Sequence, residues 1–121
     1  MATVQNLSIT SFKEMGFYRI LYSTLDEHLL EDYYTELMSP LLDYDKQHNS
    51  FYTETFFRYL LNDGSIIKVA NQMFTHRNTV NYRMGKIREI LHCDFTSQKE
   101  RLPYLIAYHI GIILKLNKTL D

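Results

Sequence analysis

The residues of this chain best suited to a defined chemistry lie between positions 65 and 88, and that chemistry is recognition of nucleic acid. Arg77, Asn78, Asn81 and Arg83 are the side-chain types that read base edges. A guanidinium fork matches guanine O6 and N7, and a carboxamide matches adenine N6 and N7. Thr79 and Lys86 suit phosphate oxygens, and the amides at a helix start add a dipole that favours an anion. Ser65, Lys68, Thr75, His76 and Tyr82 complete the candidate contact set. An exposed helix with no such task usually carries Glu–Lys pairs one turn apart, whereas here no acid occurs before Glu89. Arg77 is placed to enter a groove first. Tyr82 either touches phosphate or a thymine methyl, or packs on the N-terminal helices. Arg83 either joins the contact or pairs with an acid such as Asp45 or Glu54. His76 is better placed to bond backbone in a turn than to read a base.

Other chemistries find little to work with. His92 and Cys93 are adjacent, but no second pair stands at C-x-x-C or H-x-x-x-H spacing to complete a metal site. The chain has no glycine-rich phosphate loop, serine nucleophile elbow or dinucleotide fingerprint. Asp43 and Asp45 look like a carboxylate pair, but near a helix end they are placed to cap or to pair with a base. The expectation is a protein with no catalytic residues, metal or cofactor, and not an enzyme.

A net charge of −1 argues at first against a phosphate-binding surface. The distribution reverses that. Residues 25–63 hold nine acids against Lys46 and Arg58, a balance of 2 − 9 = −7. Residues 64–92 hold Lys68, Arg77, Arg83, Lys86 and Arg88 against Glu89 alone, a balance of 5 − 1 = +4. A basic segment is set into an acidic chain. The single Cys93 rules out an internal disulfide and suits a reducing cytoplasm. Residues 1–10 do not read as a signal peptide, and the apolar run 104–114 is too short to span a bilayer. A cytoplasmic bacterial protein with no membrane contact is expected.

Few glycines and prolines point to helices, and the elements that position the basic segment can be read from caps and stripes. Ser11 with Glu14, Thr24 with Glu27, and Ser97 with Glu100 each fit a capping box. The first would open a helix with Phe17, Ile20 and Leu21 inward. The second would run to about Met38 with Leu29, Leu30, Tyr33, Tyr34 and Leu37 in register, and Pro40 would begin a short helix through Leu42. Only residues 6–10 hint at an extended segment. Asn49 or Ser50 would cap a helix carrying Phe51, Thr55, Phe56, Tyr59 and Leu60, stopped at Gly64. Ser65 caps a short helix over 66–73 with Ile66, Val69, Ala70 and Met73 on one face. Thr75 would cap a second over 76–91 with Val80, Met84, Ile87 and Leu91 in a stripe. Two helices joined by so tight a turn have the dimensions of a helix-turn-helix. The last box opens a helix to about Leu116, with Pro103 a kink or second start. Its wide stripe (Leu102, Leu105, Ile106, Ile110, Ile113, Leu114) serves as core, and part of it could serve a partner surface.

Three segments resemble a known family. These are Leu41-Leu42-Asp43-Tyr44-Asp45, Thr55-Phe56-Phe57-Arg58-Tyr59-Leu60, and His76-Arg77-Asn78-Thr79-Val80-Asn81-Tyr82-Arg83-Met84. Together they are similar to the C-terminal domain of PucR-type regulators, which include regulators of purine catabolism and of sugar-diacid use. Residues 15–21 look like the segment joining that domain to a preceding one. The resemblance implies an all-α fold, here of about seven helices, and a DNA-binding domain at the end of a larger protein with a sensor region. No such region is present here, so the chain reads as a fragment or a truncated relative. Phe74 stands where the turn often has Gly, and Arg83 where an apolar residue is common; the pattern with apolar residues at Val80 and Met84 is instead similar to the Fis-like variant.

The resulting expectation divides the chain into an N-terminal helical segment, 1–45, and a DNA-binding domain with a C-terminal helix, 46–121. Its partner is double-stranded DNA, with residues 76–91 as recognition helix in the major groove, and the longer protein pairs as a homo-oligomer, a dimer. The alternative is a helical interaction or dimerisation module that does not bind DNA directly.

Overall fold

The computed structural model describes residue 16, residues 18–20 and residues 26–120, with side chains as far as 115. Its elements are α1 (Glu27–His48), α2 (Tyr52–Leu61), α3 (Ile66–Gln72), α4 (Arg77–Leu91) and α5 (Gln98–Leu120), and residues 16 and 18–20 are also helical. The class is all-α as expected. Two expected helices, the one ending near Met38 and the short one from Pro40, prove to be a single helix. The capping box at Ser11, the cap at Thr24 and the extended stretch at 6–10 lie outside the described residues.

Asp26 caps α1, its carboxylate accepting the Leu29 amide at 2.8 Å. Pro40 inside α1 removes one helical hydrogen bond, yet buried Met38 and Leu41 hold the helix to the core on either side of it. Tertiary packing here overrides a local stop signal. The same helix runs through positions 45 and 46, where the sequence suggested a division, and its Met38 and Leu41 join the core that supports α3 and α4.

Short, specifically bonded corners link the helices. Asn49 takes left-handed geometry, and Asp45 then reaches over the corner. Its carboxylate accepts from the Ser50 hydroxyl at 2.7 Å and from the amides of Tyr52 and Thr53 at 2.8 and 2.7 Å. Thus α2 is capped by a residue of α1, not by Asn49 or Ser50. Burial pushes the Asp45 pKa up, but the bonds from Ser50, Thr53 and Tyr52 outweigh it and hold the carboxyl below its ordinary value. At the next corner Gly64, at φ +83°, donates its amide to Tyr59 at 2.9 Å. Before α5 the expected capping box forms: Glu100 accepts the Ser97 amide at 3.2 Å, and Ser97 Oγ accepts the Glu100 amide at 3.2 Å.

Val69 and Ala70 of α3 are buried with Val80, Met84, Ile87 and Leu91 of α4, Phe56, Tyr59 and Leu60 of α2, and Phe95 and Ala107. Met73, expected inside, is half-buried at its edge. A second cluster of Leu30, Ile110 and Ile113 joins α1 to α5. Ile20, Leu29, Phe51 and Leu102, read as inward-facing or as part of apolar stripes, are exposed. Phe95 pins the loop between α4 and α5. Its ring lies 4.9 Å from Phe56 and 5.1 Å from Tyr104, and its carbonyl accepts from Arg101 at 2.9 Å.

Candidate nucleic-acid interface

The motif is α3, a four-residue turn and α4. Ser65 Oγ accepts the Lys68 amide at 3.3 Å and starts α3. Buried Ala70 leaves room for the two helices to cross closely. The far end of α3 is fastened to α2 by a reciprocal amide pair, Asn62 with Gln72, at 3.0 Å each way. Arg58 adds a bond to Gln72 at 3.3 Å. Sequence reasoning missed this brace, because nothing local links positions ten residues apart through their side chains.

The turn closes by two bonds, Thr75 amide to Ala70 carbonyl at 3.0 Å and Phe74 amide to Asn71 carbonyl at 3.4 Å. This is the Schellman pattern, whose left-handed position usually belongs to Gly. Phe74 occupies it at φ +53° with its side chain 96% exposed. The cap of α4 is His76, not the expected Thr75: its Nδ1 accepts the Asn78 amide at 3.0 Å. His76 therefore bonds backbone in the turn, as its position suggested, through an unprotonated Nδ1.

Burying Val80, Met84, Ile87 and Leu91 fixes what α4 presents to solvent. The line opposite that stripe is Asn78, Tyr82, Gly85 and Glu89, at i, i+4, i+7 and i+11. Arg77 and Asn81 flank it on one side, Thr79 and Lys86 on the other. Arg77, Asn78 and Asn81 are exposed, Tyr82 is 62% exposed, and Thr79 and Lys86 are half-buried. The structure thus gathers six of the expected contact residues on one solvent-facing surface; Lys68 and His76 are exposed as well. Tyr82 is not packed away against the N-terminal helices.

Three residues stand apart. Arg83 turns inward and donates to the Thr55 hydroxyl at 3.3 Å, while Glu54 pairs with Arg58. Thr75 and Ser65 are half-buried in the turn and the α3 cap. Lys86 lies 3.8 Å from Glu89, a loose surface pair of little energetic weight. Arg88 donates to the Asp94 carbonyl at 3.0 Å and braces the loop after α4. Gly85 was not singled out from sequence. It sits at the centre of the solvent-facing line, and a Cβ added there would meet nothing within 4 Å. Among the described residues no group of three His, Cys, Asp or Glu side chains is placed to hold a metal ion. None of the described helices is long and apolar enough to cross a membrane.

Residues 52–110 match the model of the PucR C-terminal helix-turn-helix domain. The chain is 29% identical over 91 residues to the DNA-binding transcriptional activator AdeR of Bacillus subtilis, covering 75% of this chain and 22% of that protein. It is 29% identical over 90 residues to the proline-responsive transcriptional activator PutR of the same organism, covering 74% and 22%. It is also 30% identical over 80 residues to an uncharacterized protein of Haemophilus influenzae, covering 66% and 21%. The chain spans about a fifth of the length of these relatives. No solved structure matches it.

Proposed function

Residues 52–110 form a PucR C-terminal helix-turn-helix domain, and from that premise we propose that the chain is the sequence-reading end of a bacterial transcription regulator, with α4 lying in the major groove. The observation that carries this is the outer surface of α4. Arg77, Asn78 and Asn81, the side-chain types that recognise guanine and adenine edges, stand exposed on its first two turns, with no acid among them. Glu89, the first acid of α4, lies at the other end, where a straight helix leaves a curved groove.

The division of roles follows from position. Arg77 and the two asparagines read bases, whereas Lys68, Thr79, Tyr82 and Lys86 contact backbone. Ser65 and Thr75 support the fold of the motif, and His76 sets the start of the reading helix. The activity is binding, not catalysis, and the relatives AdeR and PutR carry the names of transcriptional activators. In the longer regulator a dimer would present two such helices to half-sites one or more helical turns apart. Exposed Leu29 and Leu102, on the packed helices α1 and α5, leave apolar surface outside the motif for that contact.

The test is a titration of the chain with duplex DNA at several salt concentrations. Arg83 and Arg88 are bonded into the domain and Arg77 reads bases, so Lys68 and Lys86 remain as the charged backbone contacts. With about −0.9 per phosphate neutralised, the slope of log K against log salt should be about −2. Absence of duplex binding at low salt would instead favour a protein-interaction module.

A further inference from the structure

The flank of α4 continues onto the end of α1 and the start of α2, and we infer that Tyr44 and Tyr52 carry a second, sequence-independent contact to DNA, holding one sugar–phosphate strand beside the groove that α4 reads. This rests on the reading of α4 proposed above.

The Tyr44 ring lies between two others. His48 stacks on it with centroids 4.0 Å apart and planes 17° apart, and Tyr52 with centroids 5.1 Å and planes 26° apart. His48 is fixed in turn by its Nδ1, 2.9 Å from the Tyr44 carbonyl. Asp45 clamps the two helix ends that carry these rings. Both its oxygens are committed, Oδ1 to the Ser50 hydroxyl and Tyr52 amide, Oδ2 to the Thr53 amide. The Asp45 carboxylate is therefore spent on the fold. On its other side Tyr52 faces α4. Burial raises the Tyr52 pKa; Tyr44, by its charge and a side-chain hydrogen bond, and Tyr82 raise it further, and Arg83 opposes them. A phenol is protonated at neutral pH in any case, and its hydroxyl can both donate and accept. Arg83 is held there by Thr55, itself buried.

A line of Tyr44, Tyr52 and Tyr82 therefore runs from the end of α1 across the start of α2 to the side of α4 that carries Thr79 and Lys86. Tyr44 and Tyr52 are half-buried residues and Tyr82 is exposed. Phenylalanine would serve packing alone, whereas phenol hydroxyls are phosphate donors that carry no sequence information. Rings already stacked lose little freedom on binding, which favours a rigid grip. The motif by itself reads one face of the duplex; these tyrosines extend the contact along one strand.

The experiment uses the 121-residue chain with a duplex selected from a random pool and with a scrambled duplex of equal length. Tyr44→Phe and Tyr52→Phe keep the rings and remove only the hydroxyls. Each should weaken both duplexes by the same factor, about two- to tenfold, leaving their ratio and the salt slope unchanged. Arg77→Ala, in contrast, should collapse the ratio. Ethylating single phosphates should interfere with the parent chain at positions on one strand beyond the read bases. Parent-like affinity of both Phe variants overturns the inference, as does a loss confined to the selected duplex. Ethylation interference limited to phosphates abutting the read bases also overturns it, whatever the stability of the variants. If the parent binds neither duplex, the reading of α4 itself has failed, and this contact with it.

Discussion

Gly85→Ala should stabilise the chain and weaken its grip on DNA, two effects of opposite sign from one methyl group. Gly85 lies inside α4, where glycine costs about 0.8–1.0 kcal/mol relative to alanine because its backbone loses more freedom on folding. A Cβ there meets no atom within 4 Å, so nothing opposes the gain. The melting temperature should rise by about 3–6 °C, since 1 kcal/mol shifts a domain of this size by about that much. With α4 docked in the groove as proposed, the same position would be crowded, because Gly85 follows Tyr82 by one turn on the solvent-facing line. A methyl forced into a closely fitted contact costs about 1–3 kcal/mol, which is roughly a 5- to 150-fold loss of affinity. Gly111→Ala is the matched control. It brings the same gain in helix propensity, but its Cβ would lie 2.7 Å from Tyr34 Cε1, so it should not stabilise and should leave DNA affinity unchanged. Thermal melts by circular dichroism and fluorescence anisotropy with a labelled duplex read the two effects separately. A lower melting temperature for Gly85→Ala would refute the packing described around α4. A higher one with unaltered affinity would refute the placing of that face in the groove.

Two further substitutions test the corners. Phe74→Gly should stabilise by about 0.5–1 kcal/mol: the left-handed backbone costs a bulky residue about 1–2 kcal/mol, and glycine returns about 0.5–1 of that as unfolded-state entropy. The ring is exposed and loses no packing, so a destabilised variant in a urea melt contradicts the turn geometry. Asp45→Asn, which leaves one acceptor oxygen where Asp45 uses two, should cost about 0.5–1.5 kcal/mol, the worth of one lost hydrogen bond. The folded pKa of Asp45 is depressed, so its contribution is full above the unfolded value, near 3.9, and is lost as pH falls through the folded value. The stability gap between parent and variant should therefore close below about pH 4; a gap that widens in acid contradicts the assignment.

What could be read in the sequence and what could not divide along physical lines. Val80, Met84, Ile87 and Leu91 announce α4 because burial on one side of a helix must repeat every three or four residues. The Ser97–Glu100 box is equally local and forms as read. Exposed Arg77, Asn78 and Asn81 follow from that stripe alone, since a residue off the buried face has only solvent or a ligand to meet. Pro40 misled because a local penalty was outweighed by Met38 and Leu41, whose burial depends on helices far along the chain. His76 rather than Thr75 caps α4 because Phe74 tolerates a left-handed backbone, which its side chain gives no reason to expect. Asp45 could be read as a cap or an ion partner, but not as the cap of the next helix. Phe95 in the core, the Asn62–Gln72 brace and the Tyr44–Tyr52 stack depend on how separate helices meet, and no periodicity within one helix encodes that. By its place beside the stripe Arg83 can meet DNA or an acid; in the fold it bonds Thr55, which lies on another helix.

The central claim is that α4 reads base edges with Arg77 at its head. Its most direct test is selection from a random duplex pool with the intact chain, followed by competition of the parent and Arg77→Ala for the selected and scrambled duplexes. The parent should enrich a defined sequence. Arg77→Ala should cost about 1–3 kcal/mol on that sequence and much less on the scrambled one, erasing the preference at one position. Failure of the parent to enrich any sequence, or equal losses on both duplexes for Arg77→Ala, would contradict the claim.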